Sequence, residues 1–147
     1  MPTPEPTMQR ESAPRKGKKY FTLAEATRAL PLVKRIATDV QKTQTDRLRL
    51  HAELSTGIVE LAPEKARKLQ DELDRGTNRL ETLVDELSRI GVELKDPARA
   101  LLDFPAVYQG REILLCWKAD EATISHWHEI DTGFAGRRDI AELSTEL

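Results

Sequence analysis

The sequence predicts an α+β fold: a long antiparallel helical hairpin, then a small three-stranded antiparallel sheet and a C-terminal loop closing over it. Three observations carry this reading. Apolar residues recur at alternating three- and four-residue spacing from Leu23 to Val40 and again from Ala66 to Ile90, the period of a helix face. After Gly91 the period drops to two, as in a half-buried strand. Gln109-Gly110 then separates two apolar runs, and Gly at the second position of a two-residue loop suits a type I′ hairpin turn. The chain divides accordingly. Residues 1–18 form a disordered tail, 19–91 the helical hairpin, 92–140 the sheet with its Gly-Arg loop, and 141–147 a short tail; hairpin and sheet make one domain.

Composition narrows the function classes. Charged residues make up 33% of the chain and aromatics 5%, which fits a helix-rich protein with a modest core. A net charge of −2 gives no global pull toward nucleic acid or an anionic membrane. No apolar run approaches the roughly 20 residues of a membrane-spanning helix. The N-terminal stretch lacks an apolar core, so no secretory signal is expected. A single Cys, Cys116, excludes an intrachain disulfide and points to a reducing compartment. Pro-rich at first and basic from Arg15 to Lys19, the tail reads as solvated rather than packed.

The first helix opens at Thr22 with Glu25 three residues on, the pattern of a capping box. Leu23, Ala26, Leu30, Val33, Ala37 and Val40 share one face. Pro31 interrupts them and predicts a kink, or a short helix ending near Ala29 with a second beginning at Pro31. The pattern weakens from Gln41 to Arg49 and recovers at Leu50, Leu54, Ile58 and Leu61. Gly57 and Pro63 bracket the turn, and Pro63 suits the first turn of the next helix. In the second helix Ala66, Leu69, Leu73, Gly76, Leu80, Leu83, Leu87 and Ile90 form a heptad seam. Gly76 on that seam costs about 1 kcal/mol of helix propensity, which predicts a close backbone approach by the partner helix. The seam is longer than a small sheet can cover, and a homodimer through the helices is expected, its contacts at Leu69, Leu73, Gly76, Leu80, Leu83 and Leu87. Gly91 caps the helix.

Val92-Glu93-Leu94 reads as a short strand. The Gln109-Gly110 loop pairs Tyr108 with Arg111, Ala106 with Ile113, Phe104 with Leu115 and Leu102 with Trp117, an apolar face for the helices to cover. The opposite face pairs Pro105 with Leu114 and Asp103 with Cys116. A third strand spans Thr123 to Glu129. A four-residue loop before it sets Ser125 opposite Cys116 with Trp127 on that face; a three-residue loop brings Ile124, His126 and His128 there instead.

The motifs Asp103-Phe104-Pro105, Cys116-Trp117-Lys118, Trp127-His128 and Gly133-Phe134-Ala135-Gly136-Arg137-Arg138, with an opening Tyr20-Phe21-Thr22 and Glu25-Ala26, resemble the signature of the bacterial domain of unknown function 2203 family. The likeness runs from about Lys19 to Ile140. It implies a small cytoplasmic bacterial protein and implies no activity. His126 departs from the family pattern, which favours an aromatic there, and this weighs against His126 as a ligand.

Asp103, Cys116 and His128 are the sharpest constellation. Thiolate, imidazole and carboxylate are the donor set of zinc or a similar divalent ion, although the spacing matches no standard zinc motif. Glu129 and Asp131 could add oxygens. The bland alternative is a core Cys with His128 hydrogen-bonded to a carboxylate. A nucleophile-and-base pair oriented by Asp103 is a third reading, and it requires a partly exposed thiol. In the Gly133–Arg138 loop, Arg137 could bind an anion; otherwise the loop folds over the sheet with Phe134 as a plug and Arg137 paired with Asp131 or Asp103. Trp117 and Trp127 could stack on a planar ligand, though core packing explains them as well. Two function classes follow. One is a non-enzymatic, dimeric interaction or scaffold module. The other is a metal- or anion-binding protein, possibly an enzyme, whose cluster is Asp103, Cys116, Trp127, His128 and Arg137.

Overall fold

A computed structural model describes residues 13–57, 60 and 62–143. Most of the expected N-terminal tail, together with Ile58, Leu61 and residues 144–147, lies outside the described residues. Helix α1 spans Leu23–Leu54 and α2 spans Pro63–Ile90. Strands β1 (Glu93–Asp96), β2 (Leu101–Tyr108), β3 (Arg111–Trp117), β4 (His126–Glu129) and β5 (Arg138–Asp139) form one antiparallel sheet in chain order. The sheet therefore has five strands, not three. Two-residue β5 is too short to show alternation, and β1 joins the sheet beside β2.

The capping box at Thr22 forms in both directions, Glu25 N–H to Thr22 Oγ1 at 3.1 Å and Thr22 N–H to Glu25 Oε1 at 3.0 Å. Helix α1 runs through Pro31 as one element, so of the two expected outcomes the break into two helices does not occur. Pro31 and Thr27 both sit on the exposed side, so the Thr27 carbonyl that loses its usual donor faces water. Buried Ala26, Leu30, Val33, Ala37 and Val40 confirm the apolar face, with Ile36 added to it. At the other end, Gly91 has φ +103°, and its N–H and that of Val92 close the helix on the Leu87 carbonyl at 3.0 and 2.9 Å. A Cβ at Gly91 would stand 2.8 Å from Lys19 Cγ, so the cap also admits the incoming N-terminal segment.

The β2–β3 register is the predicted one throughout, from Tyr108 opposite Arg111 to Leu102 opposite Trp117. Gln109 and Gly110 have φ of +50° and +77°, the two positive values of a type I′ turn. Leu102, Phe104, Ala106, Ile113, Leu115 and Trp117 pack with Ala26, Leu30, Val33, Leu83 and Leu87 of the helices into one core. Its favourable term is apolar burial, at roughly 25 cal/mol per Å².

The hairpin is sealed unevenly. Ala66, Leu69, Leu83 and Leu87 are buried, whereas Leu73, Gly76 and Leu80 are half-buried. Residues near Gln41 and Leu80 are the last to touch the sheet side: the Gln41 side-chain amide donates to the Ala98 carbonyl at 3.2 Å, and Leu80 packs on the core. Beyond them the two helices project as an arm. At Gly76 it is the Arg47 side chain that comes close, not a backbone; a Cβ there would lie 2.9 Å from Arg47 Cγ. Arg47 crosses the seam to donate to Thr77 Oγ1 at 3.2 Å, and on its own helix it donates to Gln44 Oε1 at 2.6 Å.

The outer face of the sheet is buried too. Asp103, Glu112, Leu114, Cys116 and His128 are each at most 4% exposed. Two chain segments line it. The N-terminal segment brings Lys18 Nζ and Tyr20 Oη to Glu112, both at 2.7 Å. The segment after β4 brings Ile130, Gly133 and Phe134 over Asp103 and His128.

Candidate functional site

The outer face assembles three donors of different chemistry. Asp103 and Cys116 are cross-strand partners on β2 and β3, as the hairpin turn dictates. His126 pairs with Cys116 and His128 with Leu114, so both His fall on the Cys116 face. That facing matches one of the two predicted registers. The connection is neither three nor four residues, however; an irregular Lys118–Ser125 segment makes it. Glu121 organises this segment, accepting from Trp117 Nε1 through its carbonyl and from the Lys118 N–H through its carboxylate, each at 2.9 Å.

His128 Nε2 lies 3.0 Å from Asp103 Oδ1, and His128 Nδ1–H donates to the Glu129 carbonyl at 2.7 Å. One ligand atom each from Asp103, Cys116 and His128 falls within 4.8 Å of the others. The side chains of His128 and Asp103 are 3% and 2% exposed, and Cys116 is fully buried. Burial alone would lower the His128 pKa. Hydrogen bonds to Asp103, Cys116 and the Glu129 carbonyl outweigh it and raise the pKa to about 10. With no metal bound, His128 is therefore an imidazolium at neutral pH, donating from both nitrogens.

Arg137 joins from the C-terminal loop. Its guanidinium donates to the Cys116 carbonyl at 3.2 Å and to Glu121 Oε1 at 2.6 Å, and it lies 4.9 Å from the Phe134 ring centre. Desolvation opposes the Arg137 charge, but Glu121 and the Cys116 side chain outweigh it. Arg137 Nε is buried with no hydrogen-bond partner among the described residues. Asp103, Cys116, His128 and Arg137 thus share one face.

Other expectations are corrected. Trp127 pairs with Leu115 and faces the helices, 2% exposed, on the far side of the sheet from Cys116. Trp117 lies in the same core, so neither indole offers a free stacking face. Glu129 points away from the cluster and accepts two hydrogen bonds from the Arg111 guanidinium, Nε to Oε1 and Nη2 to Oε2, both at 2.8 Å. Arg137 takes Glu121, not Asp131 or Asp103. The thiol has none of the exposure a nucleophile needs.

Sequence reading missed Glu121, Glu112 and Lys95. Glu121 looked like an ordinary turn acid. Glu112 alternates with Leu114 and Cys116 on one face, a signal of a charge placed among buried residues. Lys95 occupies a β-bulge, where β1 shifts register against β2 between Leu94 and Asp96. From there it borders two adjoining cavities of about 450 and 210 Å³, which also share Leu114 and Ile130. The smaller cavity touches Asp103 and His128 directly.

Fold and face together define a small α+β protein with a buried polar centre on the side of the sheet away from its helices. Residues 19–140 match the family described as "Uncharacterized conserved protein (DUF2203)", and the chain belongs to that family. Comparison with curated proteins and with solved structures returned no match. Among the described residues, no helix is long and apolar enough to cross a membrane.

Proposed function

We propose that this protein binds a divalent transition metal, zinc by its donor set, at Asp103, Cys116 and His128. The carrying observation is the convergence of a carboxylate, a thiol and an imidazole within 4.8 Å, all shielded from solvent. Zinc takes this mixed oxygen, sulfur and nitrogen set, and three protein ligands leave one position open. The contact of His128 Nδ1 with the Glu129 carbonyl supports the reading, since metal-bound imidazoles usually anchor their second nitrogen this way and so aim the first at the ion. The ion takes the place of the proton between His128 and Asp103. A reducing, cytoplasmic setting belongs to this reading because it keeps the thiol free.

Metal analysis of protein purified without a polyhistidine tag tests the proposal. A stoichiometric divalent ion, lost in Cys116→Ser and in His128→Gln, is the expected result. Folded, reduced protein that stays free of metal after equilibration with zinc rejects it.

A second reading is favoured by the projecting arm: a non-enzymatic interaction module that dimerises through its helices. Leu48 is 56% exposed on the arm and lines a hollow of about 280 Å³ with Arg47, Leu73 and Thr77. Burying that face against a second copy would complete the seam at Leu73 and Gly76. Sedimentation equilibrium tests it, and a monomeric mass at every concentration rejects it.

A further inference from the structure

The 210 Å³ cavity lies against two of the three proposed ligands, Asp103 and His128, and its wall also carries Lys95, Leu114, Ile130 and Phe134. We propose that it binds a small carboxylate with a short apolar tail, its oxygens held between the bound metal ion and Lys95. The inference rests on the metal reading and deepens it.

Geometry sets the place. Three protein ligands leave one coordination position, and this cavity adjoins the centre. Charge sets the head group. A carboxylate, a thiolate and a neutral imidazole balance a divalent ion, and the nearby Arg137 is already matched by Glu121, so the centre carries no net negative charge to repel an anion. Lys95 stands at the same cavity, its ammonium 2.9 Å from Glu93 and its side chain 46% exposed, so it can turn toward an incoming anion. An oxyanion is the ligand such a centre accepts, with one charge-assisted hydrogen bond from Lys95.

The walls set the tail. Leu114, Ile130 and Phe134 offer apolar surface and no donors for further phosphate oxygens, which favours a carboxylate over phosphate. At about 210 Å³ the space exceeds the roughly 150 Å³ of a cavity that takes benzene, room for a short branched or aromatic acid.

Cobalt(II) serves as the probe, because its thiolate charge-transfer band reports the metal and its d–d bands report the open position. Isobutyrate or benzoate added to the Co(II) protein should shift the d–d bands saturably while the charge-transfer band persists. Lys95→Met should bind Co(II) as the wild type does but bind the carboxylate roughly tenfold more weakly, the loss expected of one charge-assisted hydrogen bond. Lys95→Arg should restore most of it. A charge-transfer band with d–d bands indifferent to both acids overturns this inference and leaves the metal reading intact. So does a response to inorganic phosphate alone, or equal carboxylate affinity in Lys95→Met. No charge-transfer band on adding Co(II) removes the metal reading, and this inference with it.

Discussion

His128 Nε2 and Asp103 Oδ1 stand 3.0 Å apart across 25 residues of sequence, in a part of the sheet from which water is nearly excluded. The pair joins β4 to β2 over the top of β3, so it ties three strands together on their outer face. Without a metal it is a buried ion pair. Such pairs contribute little net stability when intact, but removing one partner leaves a charge with no solvation.

Asp103→Ala should therefore destabilise the metal-free protein by about 3–5 kcal/mol. Replacing both residues, Asp103→Leu with His128→Leu, should cost much less than the two single changes added together. Denaturant titration of the wild type, Asp103→Ala, Asp103→Leu, His128→Leu and the double variant measures this. Additive losses would mean the pair is not coupled.

The pH dependence of chelator-treated protein should carry the mark of His128. Its pKa is raised from 6.5 to about 10, so the folded state holds this proton more tightly than the unfolded chain does. That contribution is complete below about 6.5, declines as pH rises beyond it, and is gone above about 10. The melting temperature should fall across this window, and Asp103→Asn should flatten the fall. A wild-type profile as flat as that of the variant would contradict the pairing.

Arg137→Met should act through Glu121. Burial pushes the Glu121 carboxyl up, but Arg137, the Lys118 N–H and His126 together hold it below its ordinary value. A depressed pKa gives stability that is present above the ordinary value and lost as pH falls through the folded one. The variant should be less stable by about 1–3 kcal/mol near neutrality, the cost of a buried group left without its partner, with the difference shrinking toward acid pH. Thermal melts at neutral and acid pH decide it; a penalty independent of pH would assign Arg137 a packing role alone.

Along the seam, Leu83→Ala and Leu87→Ala should each cost about 2–5 kcal/mol, because both side chains are fully enclosed in the core. Leu73→Ala, in the half-buried arm, should cost less in a monomer. In a dimer it should instead weaken association, and sedimentation at several concentrations separates the two effects.

Helix faces, the hairpin register and the Asp103–Cys116 pairing were legible because each follows from a short-range rule: spacing, a turn dipeptide, strand alternation. The β4 register was not. Its connection is shaped by Glu121 and the indole of Trp117, contacts that no turn dipeptide announces. The same irregular segment explains why Trp127 was grouped with the cluster although it points into the core. Arg137 was expected on the outer face and lies there, but its partner came from a turn acid that charge counting does not distinguish from its neighbours. The half-sealed arm was legible as a seam of excess length, whereas Arg47 filling the space at Gly76 was not, since a long polar side chain crossing a heptad leaves no periodic trace. Burial of the outer face depends on two segments, one at each end of the domain, that only the folded chain brings together.

X-ray absorption at the zinc edge tests the central claim most directly. Protein equilibrated with stoichiometric zinc and then dialysed should retain the ion, with a single sulfur near about 2.3 Å and nitrogen or oxygen neighbours near about 2.0–2.2 Å. The sulfur shell should vanish in Cys116→Ser. Zinc that washes out of folded, reduced protein, or a shell of oxygen and nitrogen alone, would contradict the assignment and leave Asp103, Cys116 and His128 as a polar network that satisfies itself.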